Sequence, residues 1–233
     1  MTVAQSIRGG RLPCVVGGDH SCAAGTWMGA ARAAQPRGEV GLIWIDAHMD
    51  AHTPGSSPSG RLHGMPLAAL LGQCDNALEG LAAGVVRGQN VCLVGVRSYE
   101  PEEAALLRRL GVTVIGMDAV AARGVGPALE EAVAIAGRRT AGYGVTIDAD
   151  ALDPRDAPAV ATPVAAGIRG GELVRALTQV GRDPRLFAVE LAEYCPRRDR
   201  DGRTGRLLTR ILCAALCGAA EESEIVSDAL EAA

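Results

Sequence analysis

Short, uninterrupted apolar runs recur along the chain and alternate with longer stretches of mixed polarity. Six runs are rich in β-branched residues: LPCVV, VGLIWID, VCLVGV, VTVIG, YGVTID and LFAVELAEY, at residues 12–16, 40–46, 91–96, 112–116, 143–148 and 186–194. Apolar runs of this length, without polar alternation, are typical of strands buried on both faces of a parallel sheet. We therefore predict that these runs form a parallel sheet.

The stretches between the runs show the periodicity of helices. The predicted helices are Cys22 to Ala34, Glu102 to Leu110, Val125 to Ile135, Gly171 to Val180 and Thr204 to Gly218. Alternating strands and helices indicate an α/β fold with helices on both faces of the sheet. The Gly/Ser/Pro cluster at residues 54–60 is a loop, too short to divide domains. We predict a single domain over residues 1–233.

Composition narrows the class of protein. With 233 residues, 48% hydrophobic and 21% charged, the chain is long and apolar enough for one globular core. The net charge of −4 and the lack of a basic block argue against nucleic-acid binding, and no apolar run approaches a membrane span. The seven scattered cysteines form no Cys-x-x-Cys pair, which favours buried thiols in a reducing compartment. We expect a cytoplasmic protein without a secretory signal.

Acids and imidazoles gather where predicted strands end. All four histidines lie between His20 and His63. The polar groups that follow four of the runs are Asp19-His20, Asp46-Ala-His48-Met-Asp50, Asp148-Ala-Asp150 and Glu193. Parallel sheets bind ligands at the carboxyl ends of their strands, so we expect these side chains to meet at one edge.

The alternating acids suit a metal site. On an extended chain, alternate residues such as Asp46, His48 and Asp50 point the same way. Carboxylate-rich sites with one or two imidazoles favour Mn²⁺ or a similar ion, and two neighbouring cations lower the pKa of a water molecule enough to make it a nucleophile. Any one such motif is more often a turn or a cap. Their repetition at several strand ends favours a two-metal site.

In five stretches the sequence resembles the ureohydrolase family of arginase and agmatinase. The stretches are GGDHS at 17–21, DAHMD at 46–50, HGMP at 63–66, IDADALDP at 147–154 and ELAEYCP at 190–196. The resemblance runs from about Leu12 to Ala215. It implies a three-layer α-β-α fold with a two-manganese centre that hydrolyses guanidino groups to urea and an amine, in a homo-oligomer such as a trimer or hexamer.

The resemblance also implies residue roles. One manganese ion would be held by His20, Asp46, Asp50 and Asp148, and the other by Asp46, His48, Asp148 and Asp150. Catalytic roles fall to His63, Glu193 and Asp50: His63 matches a proton-shuttle histidine, Glu193 an acid that holds the guanidinium, and Asp50 doubles as a metal ligand. Thr162 matches a threonine near that acid, whereas Asp153, Asp156 and Glu190 are interpreted as structural.

Substrate-reading residues are assigned by position in two loops. His52, Ser59 and Arg61 are where arginases bind the α-carboxylate, but arginases carry asparagine at the first and last of these. Glu100 and Glu103 are where arginases place acids for the α-amine, although both also suit an ordinary acidic helix start. We predict L-arginine as the substrate; guanidino acids, agmatine and formiminoglutamate are the alternatives.

The start of the chain departs from the family pattern. Family members carry a further strand and helix before the helix that leads into GGDHS, and Met1 falls within that leading helix. The expected fold therefore lacks the family's first strand and helix. A contrasting prediction is that the protein is a trimmed, inactive family member. The argument against it is that every expected metal and proton-transfer residue is present.

Overall fold

A computed structural model describes residues 2–74, 78, 80 and 84–217. Its strands form one six-stranded sheet in the order β1-β6-β5-β2-β3-β4, and all neighbouring strands are parallel. The strands are β1 (Cys14–Val16), β2 (Gly41–Ile45), β3 (Val91–Val96), β4 (Thr113–Gly116), β5 (Tyr143–Asp148) and β6 (Leu186–Ala192). Each strand lies within one of the predicted runs.

Helices follow most strands along the chain. They are α1 (Val3–Arg8), α2 (Ala23–Ala34), α3 (Pro66–Leu70), α4 (Pro101–Arg109), α5 (Met117–Arg123), α6 (Val125–Ala136), α7 (Gly170–Val180) and α8 (Arg203–Cys217). The predicted helices are confirmed to within one residue at each described end, and Gly218 lies outside the described residues. Prediction from periodicity missed α1, α3 and α5, which are short, and only the resemblance led us to expect a helix at the position of α1. The five residues of α3 are all buried, so no polar face marks it.

The sheet separates two hydrophobic cores. Alternate residues of each central strand face opposite sides, so Ile43 and Ile45 pack with α5 to α8, whereas Leu42 and Trp44 pack with α1 to α4. The three-layer α-β-α prediction is thereby confirmed. No helix within the described ranges is long and apolar enough to cross a membrane.

The cysteines only partly match the prediction of buried thiols. Cys74 and Cys92 are buried, but Cys14 and Cys217 are exposed. Cys14 is exposed because β1 is an edge strand only three residues long, and Val16 at its end is 64% exposed. Apolar neighbours in the sequence do not bury a residue on an edge strand.

The topology brings distant loops together. In the sheet, β1, β6, β5, β2 and β3 are consecutive neighbours, although β1 and β2 are separated by two strands in this order. Their carboxyl ends lie on the same edge because all are parallel. The segments that follow these strands therefore form one continuous surface, which carries every strand-end acid and imidazole identified in the sequence.

Candidate metal centre

Four buried side chains converge beyond the ends of β1, β2 and β5. His20 Nδ1 lies 3.2 Å from Asp46 Oδ2 and 3.0 Å from both Asp50 Oδ2 and Asp148 Oδ2. One ligand atom from each of the four lies within 4.8 Å of the others. We call His20, Asp46, Asp50 and Asp148 the first ligand group.

A second ligand group, Asp46, His48 and Asp150, adjoins the first. His48 Nδ1 lies 3.6 Å from Asp46 Oδ1 and 3.3 Å from Asp150 Oδ2. Asp46 is common to both groups, as a bridging ligand requires. Asp148, expected from the resemblance to bridge as well, belongs only to the first group here. Its other oxygen, Oδ1, accepts the backbone N–H of Asp150, so a bridging role for Asp148 stays a prediction.

Tight turns, rather than extended strands, aim these acids. Asp46 Oδ1 accepts the N–H of His48, and Asp148 Oδ1 accepts the N–H of Asp150, two residues further on in each case. Asp50 adopts φ 50°, a left-handed conformation unusual for a residue other than glycine. The predicted same-side alternation was therefore wrong in its geometry: His48 and Asp50 enter different ligand groups.

Several buried polar atoms lack hydrogen-bond partners among the described residues. Besides Trp27 Nε1, which is a separate case, they are His20 Nδ1, Asp50 Oδ2 and Asp150 Oδ1, which lie close to other ligand atoms but make no hydrogen bond of acceptable geometry. Burying such atoms without a partner costs free energy, and three of them seldom occur together unless they face a ligand. A carboxylate-rich set with one imidazole in each group fits hard or borderline divalent cations such as Mn²⁺.

The charges of the two groups perturb one another. Burial lowers the pKa of His48, but Asp150 and Asp46 overcome this and raise it to about 11. Burial and the charge of Asp46 raise the pKa of Asp50 to about 7. Burial and the neighbouring Asp150 charge also raise the pKa of Asp148 well above its usual value. The groups hold protons that a divalent cation would displace.

A polar row in the sheet supports the first group from below. Trp44, Thr146 and Glu190 are register partners on β2, β5 and β6. Trp44 stacks on the ring of His20, with centroids 4.3 Å apart, and its Nε1 donates to Asp46 at 2.8 Å. The hydroxyl of Thr146 donates to Glu190 at 2.8 Å and lies 2.9 Å from His20 Nε2.

This row fixes the tautomer of His20. A carboxylate at Glu190 can only accept, so the Thr146 hydroxyl donates to it and accepts from His20 Nε2–H. In the neutral ring Nδ1 is then the unprotonated nitrogen, as a metal ligand needs; without a metal, burial lowers the pKa of His20, but the three acids overcome this and raise it well above its usual value. Glu190, interpreted from sequence as structural, acts through this chain.

A cavity of about 310 Å³ opens over both groups, with two members of each in its lining. His63 and Glu193 face each other in its wall, with His63 Nδ1 3.4 Å from Glu193 Oε1. The same Glu193 oxygen accepts the N–H of His20 at 3.0 Å, and burial raises the pKa of Glu193. Glu193 also has a positive φ, 63°, so two residues of the site, Asp50 and Glu193, adopt a strained left-handed backbone.

Thr162 lies where it contacts a ligand rather than Glu193. Its hydroxyl donates to Asp150 Oδ2 at 2.7 Å, so it orients a member of the second group. The resemblance had associated Thr162 with the acid that holds the guanidinium. Both Thr162 and Glu193 line the cavity, but the hydrogen bond of Thr162 is to Asp150.

The far wall of the cavity contains three of the predicted substrate residues in mutual contact. His52 Nε2 lies 3.0 Å from Glu100 Oε2 and 3.4 Å from Glu103 Oε2, and its Nδ1 lies 3.2 Å from Ser56 Oγ. Both ring nitrogens are thus occupied. The prediction that His52 binds a substrate carboxylate directly is not supported, because the ring is used to hold Glu100 in place.

Both carboxylate oxygens of Glu103 also have hydrogen-bond partners. Its Oε1 accepts the N–H of Ala51 and its Oε2 accepts the N–H of Glu100, at 3.0 Å each. The side chain is buried at the start of α4, where acids are favoured. Glu100, whose side chain is 50% exposed, is the acid that remains accessible from the cavity.

Ser59 and Arg61 complete this wall. Both are exposed, and both line the cavity together with Glu100. Ser59 Oγ accepts the N–H of Arg61 at 3.3 Å, which shapes the loop that carries the guanidinium. The cavity therefore has an anionic cluster at its floor and one cation beside one accessible acid at its far wall.

Comparison with known proteins explains this arrangement. Residues 1–218 match the model of the Arginase family. The chain belongs to the arginase family. It is 36% identical over 212 residues to the arginase of Brevibacillus brevis, an alignment that covers 90% of this chain and 70% of that protein. The arginase of Bacillus caldovelox gives the same identity and coverage.

Solved structures agree with this assignment. The arginase from Bacillus caldovelox superposes with a TM-score of 0.87 at 35% identity, covering 94% of this chain and 73% of that chain. Formimidoylglutamase from Bacillus subtilis superposes with a TM-score of 0.79 at 24% identity, over 93% of this chain and 65% of that one, a likeness of fold alone. The chain is an arginase-family hydrolase with the arginase fold.

Sequence reasoning missed two supporting residues of this arginase-family site, Trp44 and Thr146, and found for Glu190 only a structural role. Trp44 and Thr146 lie two residues before Asp46 and Asp148, on the same face of their strands, and Glu190 is fully buried. A polar side chain within an apolar strand was the available signal, since it needs a buried partner. Asp153 is structural as predicted: its carboxylate accepts the backbone N–H and the guanidinium of Arg155.

Proposed function

We propose that this arginase-family hydrolase uses two Mn²⁺ ions to cleave a guanidino group into urea and an amine. The observation that carries the proposal is the pair of adjoining ligand groups that share Asp46 beneath a cavity. The first group would hold one ion and the second group the other. Bound together, two such cations supply a water molecule of lowered pKa as the nucleophile.

The protein's own residues would bind the substrate and move protons. The carboxylate of Glu193 faces the cavity beside the ligand groups, where it can accept hydrogen bonds from a guanidinium. His63, 3.4 Å from Glu193, is partly exposed and can deliver a proton to the leaving nitrogen. His20 donates its backbone N–H to Glu193, which fixes the carboxylate relative to the first ligand group.

L-Arginine fits the far wall of the cavity. Its carboxylate would pair with the guanidinium of Arg61, and its α-amine with the accessible oxygen of Glu100. His52 would serve this contact indirectly by holding Glu100 at 3.0 Å. The proposed reaction is the hydrolysis of L-arginine to L-ornithine and urea.

A guanidino acid is the second candidate, because Arg61 favours any substrate with a terminal carboxylate. Guanidinobutyrate would use Arg61 but offers no amine to Glu100. Formiminoglutamate also carries carboxylates, but its hydrolysis releases formamide instead of urea. Agmatine lacks the carboxylate altogether, so Arg61 would face it without a counter-charge.

The proposal is tested by metal analysis and a substrate panel. Purified protein is stripped of metal, reloaded with Mn²⁺ and assayed for bound ions, urea and formamide with arginine, guanidinobutyrate, agmatine and formiminoglutamate. We expect two ions per chain and the highest urea yield with arginine. Absence of bound metal would refute the two-ion site. Two bound ions without product from any of the four compounds would indicate an inactive family member.

A further inference from the structure

One half-buried arginine next to the metal centre, Arg97, has no role in the reaction described above. Arg97 follows β3, and its guanidinium makes six hydrogen bonds, all to main-chain carbonyls. The accepting residues are Gly95, Asp150, Ala151, Leu152, Val164 and Ala165. The shortest two, at 2.8 Å, join Nη2 to the carbonyls of Asp150 and Val164.

Five of these six carbonyls belong to two segments beside the second ligand group, residues 150–152 and 164–165. Asp150 is itself a ligand candidate, and the segment that includes Val164 also carries Thr162, whose hydroxyl donates to Asp150 Oδ2. Arg97 thus contacts both the backbone of Asp150 and the loop that holds its carboxylate. A planar fork of five N–H donors suits this task, because it fixes several acceptors in one plane.

The backbone of Arg97 contacts the turn that carries the remaining two members of the group. Its N–H donates to the carbonyl of Ala47 at 2.9 Å, and Ala47 lies between Asp46 and His48. A single residue therefore ties the β2 turn, which supplies two ligands, to the β5 turn, which supplies the third.

The surroundings of the guanidinium are shaped to admit it. A Cβ on Gly167 would lie 2.6 Å from Arg97 Nη2, so only glycine leaves room at that position. Burial lowers the pKa of Arg97, while the charges of Asp150 and Asp46 raise it. The Arg97 guanidinium is thus partly buried and bonded to main-chain carbonyls. The acids of the ligand groups supply negative charge close to it.

We propose that Arg97 is a positioning residue that sets the geometry of the second ligand group by clamping the Asp150 turn to the loop of Thr162. The inference rests on the proposed two-metal function, but it concerns one ion only. Loss of the clamp should weaken the second ion and leave the first, whose ligands His20 and Asp50 Arg97 does not contact. Removing an outer partner of a metal ligand typically costs about 10- to 100-fold in metal affinity.

The experiment measures stepwise Mn²⁺ binding by calorimetry and electron paramagnetic resonance in the wild type, Arg97→Lys and Arg97→Met. We expect Arg97→Met to lose roughly 10- to 100-fold in the affinity of one ion, with the other within about threefold of wild type. Arg97→Lys, which keeps the charge but not the fork, should fall in between. Arg185→Met is the matched control: Arg185 bonds the carboxylate of Asp183, remote from the ligand turns.

Two further measurements separate positioning from a general loss of stability. Hydrogen exchange in the metal-free variants should rise at residues 149–152 and 162–167. Thr162→Val, which removes the hydroxyl bound to Asp150, should weaken the same ion even if Arg97→Met fails to fold. The inference is overturned if Arg97→Met and Thr162→Val bind both ions as the wild type does, or lose both equally. If the wild type itself binds no Mn²⁺, the proposed function fails instead.

Discussion

Replacing Glu100 with glutamine should weaken the use of arginine while sparing a substrate that has no α-amine. Glutamine keeps the shape of the side chain and can still accept a hydrogen bond from His52 Nε2, now 3.0 Å from Glu100 Oε2. The only intended loss is the negative charge that would meet the amine. Arg61→Met is the complementary change, because it removes the charge that would meet the carboxylate.

The size of the effect follows from exposure. A hydrogen bond to a charged group contributes roughly 1.5–3 kcal/mol when well buried. The Glu100 side chain is 50% exposed, so water screens the contact and the lower end of that range applies. About 1.4 kcal/mol corresponds to a tenfold change in kcat/KM. We therefore expect about a tenfold loss with arginine, mainly in KM, since the contact lies far from the scissile bond.

The assay compares kcat/KM for urea release from arginine, agmatine and guanidinobutyrate. Glu100→Gln should impair arginine and agmatine, which carry the amine, but not guanidinobutyrate. Arg61→Met should impair arginine and guanidinobutyrate but not agmatine. Glu102→Gln, at an exposed position of the same helix, is the control. An equal loss with guanidinobutyrate in Glu100→Gln would contradict the assignment of Glu100 to the amine.

Three further outcomes are expected. Asp46→Asn should remove both Mn²⁺ ions because both ligand groups share Asp46, whereas Asp153→Asn should lower the melting temperature and leave metal content unchanged; elemental analysis and calorimetry distinguish them. Because the pKa of His48 is raised to about 11, Mn²⁺ must displace its proton, so apparent affinity should rise from pH 6 to 9 with proton release into the buffer; a flat profile would count against this. Thr146→Val leaves the buried His20 Nε2 without its partner at 2.9 Å. It should lower the free energy of unfolding by about 1–3 kcal/mol and weaken the binding of one ion. Unchanged metal affinity would disprove the role of Thr146 in orienting His20.

The sequence determined the strands, most helices and the candidate ligands. Runs such as GLIWI and YGVTID are apolar throughout because both faces of a central parallel strand are covered, and this signal is local. Acids and imidazoles after such runs indicated that the candidate site lies at the carboxyl ends of the strands, because parallel strands end on the same side of the sheet. The five resembling stretches are sufficient to indicate the arginase family.

Only the tertiary structure decided how those residues divide into sites. Which strands are neighbours is set by packing across the sheet, so the row of Trp44, Thr146 and Glu190 joins three segments that no local pattern connects. The roles of Glu103 and Arg97 depend in the same way on partners distant in sequence. In the sequence, Glu103 cannot be distinguished from an acid that binds substrate, but its oxygens accept two backbone N–H groups. Arg97 likewise cannot be distinguished from a surface charge, but its guanidinium donates to six carbonyls. Their chemistry is fixed by which groups the fold places within hydrogen-bonding distance, and the fold alone determines that.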